Sequence, residues 1–286
     1  MQVVRTIREA RAAVAEARAA GRRVGFVPTM GFLHQGHLSL VAAARQDGCW
    51  TAVSIFVNPL QFGPSEDFER YPRDEARDLE LLRQAGVDLV FVPTAAEMYP
   101  PNAVTRIHVE RLTEHLCGPW RPGHFDGVAT VVAKLFAIVP ADRAYFGRKD
   151  AQQLAVIGRM VRDLDLPIEV VGCDTVREPD GLAMSSRNVY LSADERRRAT
   201  ALYRALCLAR DQIGAGERDV SRVAAAMRRV IDAASPTQVD YVSVVDAEEL
   251  QPVERIDRRV LIAVAVRFGG TRLIDNVVVD PPPAGS

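Results

Sequence analysis

The feature that most restricts this chain is the alternation, through its first 176 residues, of short β-branched runs with longer segments of helical spacing. Residues 23–29, 50–57, 87–92, 143–146 and 168–171 read as strands. Most are apolar on both faces, as strands are when a sheet is covered on both sides. Between them lie the helical segments. Thr6 and Glu9 form a T-x-x-E capping box before an Ala-rich run that stops at Gly21. Residues 37–45 have helical apolar spacing. Pro72, Asp74 and Glu75 suit the start of a helix that turns Leu79 and Leu82 inward and ends at Gly86. Residues 127–139 stop before Pro140, and residues 151–163 make a further helix. Residues 104–109 alternate and predict one more short, half-exposed strand. Strand–helix alternation of this kind makes an α/β domain around a mostly parallel sheet, whose ligands bind at the carboxyl ends of the strands.

The pattern changes after Val176. Ser192 and Glu195 form a second capping box. Leu202, Leu206, Ala209 and Ile213 mark one helix face, and Val223, Met227, Val230 and Ile231 another, with Pro236 following. Three strands are expected over 239–245, 260–266 and 272–279, with Gly269-Gly270 turning the last two into a hairpin. The expected fold class is therefore α/β: a Rossmann-like parallel-sheet domain over residues 1–176 and a smaller α+β domain over residues 177–286. The Pro-rich tail from 281 to 286 is expected to fray.

Composition narrows the function. With 286 residues and 48% hydrophobic content, the chain can bury a large core. A formal net charge of −1 argues against a dedicated nucleic-acid binder. No leader-like apolar segment and no long apolar run is present, so a cytoplasmic protein without membrane spans is expected. Cys49, Cys117, Cys173 and Cys207 match no zinc spacing and suit buried thiols in a reducing compartment.

Five segments carry chemistry. The first is Val27-Pro28-Thr29-Met30-Gly31 followed by His34-Gln35-Gly36-His37, a strand end, a glycine-containing turn and a helix start. Such a helix start presents backbone N–H groups to an anion, and imidazoles three apart can donate to a phosphate. A metal pair or purely structural histidines are the other readings. The second is Gly147-Arg148-Lys149-Asp150 at another strand end, where Lys149 can neutralise phosphate and Asp150 can hold a ribose hydroxyl or the water shell of Mg2+. A solvated helix start is its alternative. The third is Met184-Ser185-Ser186-Arg187-Asn188, after Asp180-Gly181, which suits a phosphate clamp or a plain serine-rich turn. The fourth is the strand end Phe56-Val57-Asn58-Pro59-Leu60-Gln61-Phe62, whose amides can read hydroxyl and carboxylate groups, with a turn-forming Asn and a surface Gln the alternative. The fifth is Arg121-Pro122-Gly123-His124-Phe125-Asp126-Gly127-Val128, whose histidine beside a Pro-Gly turn before a helix suits a site edge, with a structural histidine the alternative. No P-loop and no G-x-G-x-x-G after a strand is present.

In their order along the chain the five segments resemble one family, the pantoate–beta-alanine ligases, and a looser likeness extends to Gly269-Gly270-Thr271-Arg272-Leu273-Ile274-Asp275-Asn276. The resemblance implies a fold of the nucleotidyltransferase or class I synthetase type with a C-terminal lid domain. It implies formation of a pantoyl-adenylate from ATP and pantoate, then attack by β-alanine. It also implies small-molecule partners only and a homodimer through the N-terminal domain. Residue by residue, Met30, Gly31, His34, Gly36 and His37 would line ATP, with His37 the proton donor and His34 beside it on the phosphates. Gly147, Arg148, Lys149 and Asp150 would hold ribose and phosphate, Val176 would touch adenine through its backbone, and Met184, Ser185, Ser186 and Arg187 would close over the triphosphate. Asn58, Gln61, His124 and Gln153 would serve the substrates. His34, His37, Lys149 and Arg187 make the expected catalytic set. Mg2+ follows from ATP chemistry, but no metal ligand is assigned, with Asp78 a candidate. Arg148 stands where the family usually has Glu or Gln, Ala151 where an aromatic is usual, and Gln35 where Glu or Asp is common. A nucleotidyltransferase acting on a small phosphorylated substrate, and a non-catalytic RNA-binding relative of class I synthetases, are the competing functions.

Overall fold

A computed structural model describes residues 1–64 and 66–282. The expected fraying of the tail falls largely on residues 283–286, outside the described residues. The elements run β1 (Gln2–Val4), α1 (Ile7–Ala19), β2 (Val24–Thr29), α2 (Gln35–Gln46), β3 (Trp50–Ile55), α3 (Glu75–Gln84), β4 (Leu89–Phe91), the short α4 (Ala95–Met98), α5 (His124–Ile138), β5 (Arg143–Gly147), α6 (Ala151–Asp163) and β6 (Glu169–Cys173). They continue with α7 (Ala193–Ala199), α8 (Ala201–Gly214), α9 (Val220–Asp232), β7 (Gln238–Asp246), β8 (Val260–Phe268) and β9 (Thr271–Val279). The chain divides into two compact units. One holds Met1–Val109, Arg121–Arg148 and Gln153–Asp174, and the other holds Glu110–Trp120, Lys149–Gln152 and Thr175–Ser286.

In the first unit the strands order as β1-β4-β3-β2-β5-β6, with every pairing parallel. From β2 the chain winds one way through β3 to β4, then returns to β5 on the other side. The switch point therefore lies between β2 and β5, where open α/β sheets place their ligands. Val27, Val53 and Val90 from three adjacent strands pack with Leu40 and Val41 of α2 and Leu82 of α3. The capping box at Thr6 forms as expected, with Glu9 reaching back to the Thr6 N–H at 3.0 Å.

Three local expectations change. Helix α3 begins at Glu75 with Asp74 as its cap, so Pro72 lies ahead of the helix rather than in its first turn. Residues 104–109 form no strand among the described residues. Val104 is 89% exposed there, so its alternation has no surface to pack on, and Ile107 instead donates its N–H to Thr130 Oγ1 at 2.9 Å. Strand β1, unforeseen because three residues show no periodicity, adds to the sheet edge beside β4.

In the second unit β7, β8 and β9 form an antiparallel sheet, and Phe268 pairs with Thr271 across the two-glycine turn, where Gly269 takes φ 55°. Helices α8 and α9 bury the predicted faces: Leu202, Leu206, Ala209, Ile213, Val223, Met227 and Ile231 share one core with Ile262, Val264 and Val266. All four cysteines are free thiols. Replacement of Leu202, which is 1% exposed, by Ala is expected to destabilise this unit by about 2–5 kcal/mol through lost burial and a residual cavity. Urea unfolding monitored by circular dichroism checks this, and an unchanged midpoint would contradict the packing.

Candidate active site at the strand ends

Strand β2 leaves the sheet at Thr29, whose hydroxyl donates to the Ser54 carbonyl of β3 at 2.7 Å and accepts the Gly31 N–H at 3.2 Å. The next two residues are left-handed, Gly31 with φ 80° and Phe32 with φ 48°. Gly31 is required twice over. Its φ is unfavourable for other residues, and a Cβ there would sit 2.9 Å from the Ile55 side chain and 3.0 Å from Asp78 Oδ2. Phe32 takes a conformation disfavoured for an aromatic residue. The compensation comes from Asp78 on α3, 1% exposed, whose two carboxylate oxygens accept the N–H groups of Phe32 at 2.6 Å and Leu33 at 2.7 Å. Burial pushes the Asp78 carboxyl above the usual range, against the pull of those two N–H groups and of Arg77. Asp78, a candidate metal ligand by sequence, thus has both oxygens engaged on the turn.

The turn delivers His34 as the cap of α2. His34 Nδ1 accepts the Gly36 N–H at 3.1 Å, and His37 Nδ1 accepts the His34 N–H at 3.2 Å. This is the reciprocal geometry of a capping box built from imidazoles, and the two ring centroids lie 4.1 Å apart. Because each Nδ1 accepts a hydrogen bond, the neutral tautomer that fits each ring carries its proton on Nε2. H-x-G-H is therefore a capping signal as well as a chemical one, and the sequence pattern S/T-x-x-E was too narrow to show it.

Strand β3 ends at the second cluster. Asn58, 1% exposed, donates to Gln61 Oε1 and to the Gly127 carbonyl, both at 3.0 Å, and accepts from Tyr99 Oη at 2.8 Å. Gln61 Nε2 lies 3.2 Å from Met30 Sδ, which ties the two strand ends together. The approach of α5 depends on Gly127, where a Cβ would meet the Leu60 carbonyl at 2.3 Å. Beneath Gln61, His124 Nδ1 donates to the Gln61 carbonyl at 2.8 Å and His124 Nε2 faces Arg121 at 3.0 Å. Arg121 grips Glu66 with two bonds of 2.7 and 2.6 Å. His124 thus holds the Gln61 backbone. Burial raises the Glu66 carboxyl, but the bonds and charge of Arg121 outweigh it and leave it below the usual range.

The third cluster follows β5. Arg148 Nε bonds the Gly172 carbonyl at 3.2 Å and lies 3.4 Å from Asp174. In the second unit, Lys149 Nζ lies 3.7 Å from Asp150 Oδ1. The adjacent glutamines differ. Gln153 is half-buried on the first turn of α6, whereas Gln152 is a buried clip. Its amide donates to the Leu112 and His115 carbonyls at 2.8 Å each and accepts the Cys117 N–H at 2.9 Å. The fourth cluster closes on itself: the Met184 N–H reaches the Val176 carbonyl at 3.0 Å, and Ser185 Oγ caps the following turn at the Arg187 N–H, 3.3 Å away. Ser186 is 7% exposed beneath it.

A parallel sheet whose switch-point strand β2 ends in a histidine-capped helix start defines an α/β protein that presents a helix N-terminus at its strand ends. The family model for pantoate-beta-alanine ligase matches residues 2–278, and the chain belongs to that family. The pantothenate synthetase of Moorella thermoacetica is 58% identical over 280 residues, covering 98% of this chain and 99% of the relative. That of Caldicellulosiruptor saccharolyticus is 55% identical over 280 residues, covering 98% of this chain and all of the relative. Among solved structures, the pantothenate synthetase of Thermus thermophilus superposes with a TM-score of 0.93 at 52% identity, covering 98% of this chain and 100% of the other. The pantoate-beta-alanine ligase of Francisella tularensis, solved with beta-gamma ATP and beta-alanine, superposes with a TM-score of 0.80 at 31% identity, covering 97% of each chain.

Two outcomes follow from this geometry. Asp78→Asn keeps the shape but turns one oxygen into a donor facing an N–H, so one backbone group loses its acceptor. We expect a loss of about 1–3 kcal/mol, read by urea unfolding; equal stability would remove Asp78 from its clamping role. For Glu66 the folded pKa lies below the ordinary value of 4.5, so its ionised form contributes stability above that pH and loses it as pH falls through the lowered value. The stability gap between the protein and Glu66→Gln should therefore be full at pH 7 and narrow below about pH 4.5. A gap that stayed constant across that range would mean that the carboxylate charge does not contribute.

Proposed function

We propose that the chain condenses (R)-pantoate with β-alanine to give pantothenate, through a pantoyl-adenylate, with release of AMP and pyrophosphate. The observation that supports this reading most is the reciprocal histidine cap at the end of β2, which fixes both imidazoles at a helix start beside the sheet's switch point. Membership of the ligase family and the likeness to a relative solved with ATP and β-alanine ligands support it.

In the first step a pantoate carboxylate oxygen attacks the α-phosphorus of ATP, the bond to the bridging oxygen breaks, and pyrophosphate leaves. Charge grows on the phosphoryl oxygens and the leaving group, so N–H donors and cations do most of the catalysis. His37 would be the proton donor and His34 its neighbour on the phosphates, with Met30, Gly31 and Gly36 lining the nucleotide. Gly147, Arg148, Lys149 and Asp150 would hold ribose and phosphate, Val176 the adenine, and Met184, Ser185, Ser186 and Arg187 the triphosphate. In the second step the β-alanine amine attacks the acyl carbon, the bond to AMP oxygen breaks, and the amine loses a proton. Asn58, Gln61 and Gln153 are neutral amides suited to hydroxyl and carboxylate groups, and His124 would contribute by fixing Gln61. Mg2+ would enter with the phosphates and neutralise their charge. Among the described residues no group of three or more His, Cys, Asp or Glu could hold a metal ion, so no protein ligand is named for it.

The same proposal includes a division of labour. Residues 1–176 would bind ATP and pantoate, while residues 177–286 would act as a lid that keeps water from the adenylate. A cytoplasmic homodimer is the expected form; among the described residues no helix is long and apolar enough to cross a membrane.

Incubation with ATP, Mg2+, pantoate and β-alanine should yield AMP, and pyrophosphate exchange into ATP should require pantoate. AMP no faster than without pantoate would sink the reading, and exchange driven by a phosphorylated acceptor instead would favour nucleotidyl transfer. His37→Ala should slow adenylation about a hundredfold or more, measured in a single turnover.

A further inference from the structure

The segment Gly269–Asn276 entered through a loose likeness and has no part in the function described so far. Its strand, β9, grips other segments of the second unit from both faces, as alternating side chains allow. Asp275, 3% exposed, makes a two-bond ion pair with Arg177, at 2.6 and 3.0 Å. Arg177 is held on three further sides. It donates to the Gly181 carbonyl at 3.1 Å, its guanidinium lies 4.2 Å over the Tyr203 ring, and its backbone bridges Ala183. It therefore fixes the tight turn 177–183, whose two ends are Val176 and Met184. Gly181 at the tip takes φ 92°, and a Cβ there would lie 2.1 Å from Tyr203. On the opposite face of β9, Asn276 Nδ2 donates to the Lys149 carbonyl at 2.8 Å. The Asn276 N–H caps Asp275 Oδ1 at 2.8 Å, which couples the two grips.

We propose that Asp275, through Arg177, and Asn276, through the Lys149 carbonyl, are positioning residues for nucleotide binding. One strand then sets both the Val176–Arg187 turn and the Lys149–Asp150 pair, two segments assigned to ATP by the reading above, on which this inference rests. Neither side chain is asked to touch ATP. An Arg fork between a carboxylate and an aromatic face holds one geometry more tightly than a lysine could.

Removing one partner of a buried ion pair strands a charge, so Asp275→Ala alone could simply unfold the unit. The test uses two sets of variants. The first is Asn276→Ala with Asn276→Asp, the latter keeping shape but no donor. The second is the double replacement Arg177→Met with Asp275→Leu, which swaps the pair for apolar groups and retains packing. Binding of ATP with Mg2+ is measured by calorimetry on the full chain, beside the thermal midpoint, the KM for β-alanine and pantoate-dependent pyrophosphate exchange. Both Asn276 variants and the double variant should weaken ATP binding about tenfold, the size of one lost positioning hydrogen bond, with the KM for β-alanine nearly unchanged. ATP affinity equal to that of the unaltered protein in both sets would overturn the proposal, as would equal losses for ATP and β-alanine. An unaltered protein that binds ATP but shows no pantoate-dependent exchange would overturn the functional reading and leave this one to be judged on affinity. An unaltered protein that does not bind ATP would overturn both.

Discussion

The turn that follows β2 in the first unit hangs on one buried carboxylate. The chain leaves β2 and must place an imidazole pair at the start of α2 within a few residues. It does so through two consecutive left-handed residues, one of which is a phenylalanine. That backbone is unfavourable on its own terms. It persists because Asp78 offers two acceptors to N–H groups that would otherwise be buried without partners. The carboxylate is costly to bury as well, which is why its pKa is raised. The two hydrogen bonds thus offset both strain and burial in one local contact, and the histidines inherit their position from it.

The pairing of the two histidines follows the same logic. Side chains that cap a helix cannot rotate freely, because the backbone N–H groups they satisfy have no other acceptor. With Nδ1 of each ring committed to the backbone, the proposed chemistry would fall to Nε2. A group that must stabilise charge in a transition state loses little by being fixed beforehand, since reorganisation is then unnecessary.

The fold was largely legible because long periodic segments report burial directly. The helices with capping boxes at Thr6 and Ser192, the apolar faces of α8 and α9, and the two-glycine hairpin all follow from local chemistry. What failed locally had no local cause. Residues 104–109 alternate like a strand, yet no sheet edge receives them, and β1 is too short to announce itself and exists only because β4 offers an edge. In the candidate site, residue types and their placement at strand ends were readable, and the partners were not. That His124 serves Gln61, that Asp78 serves the turn and that Gln152 differs in task from Gln153 depend on contacts dozens of residues apart.

The same distinction explains why chain order is a poor guide to the units. Residues 110–120 and 149–152 lie within the span of the first unit but pack with the C-terminal portion. Gln152 uses both ends of its amide on three backbone groups of the 110–120 segment, and Gln251 from beyond α9 donates to the Arg111 carbonyl at 3.0 Å. A neutral amide suits this task better than a charge, since it satisfies buried donors and acceptors without the desolvation cost of an ion. The sequence Gln152-Gln153 therefore places side by side a residue that organises one unit's backbone and a residue that belongs to the other unit. The boundary between them falls inside a single helical turn of α6, where no change in composition could mark it.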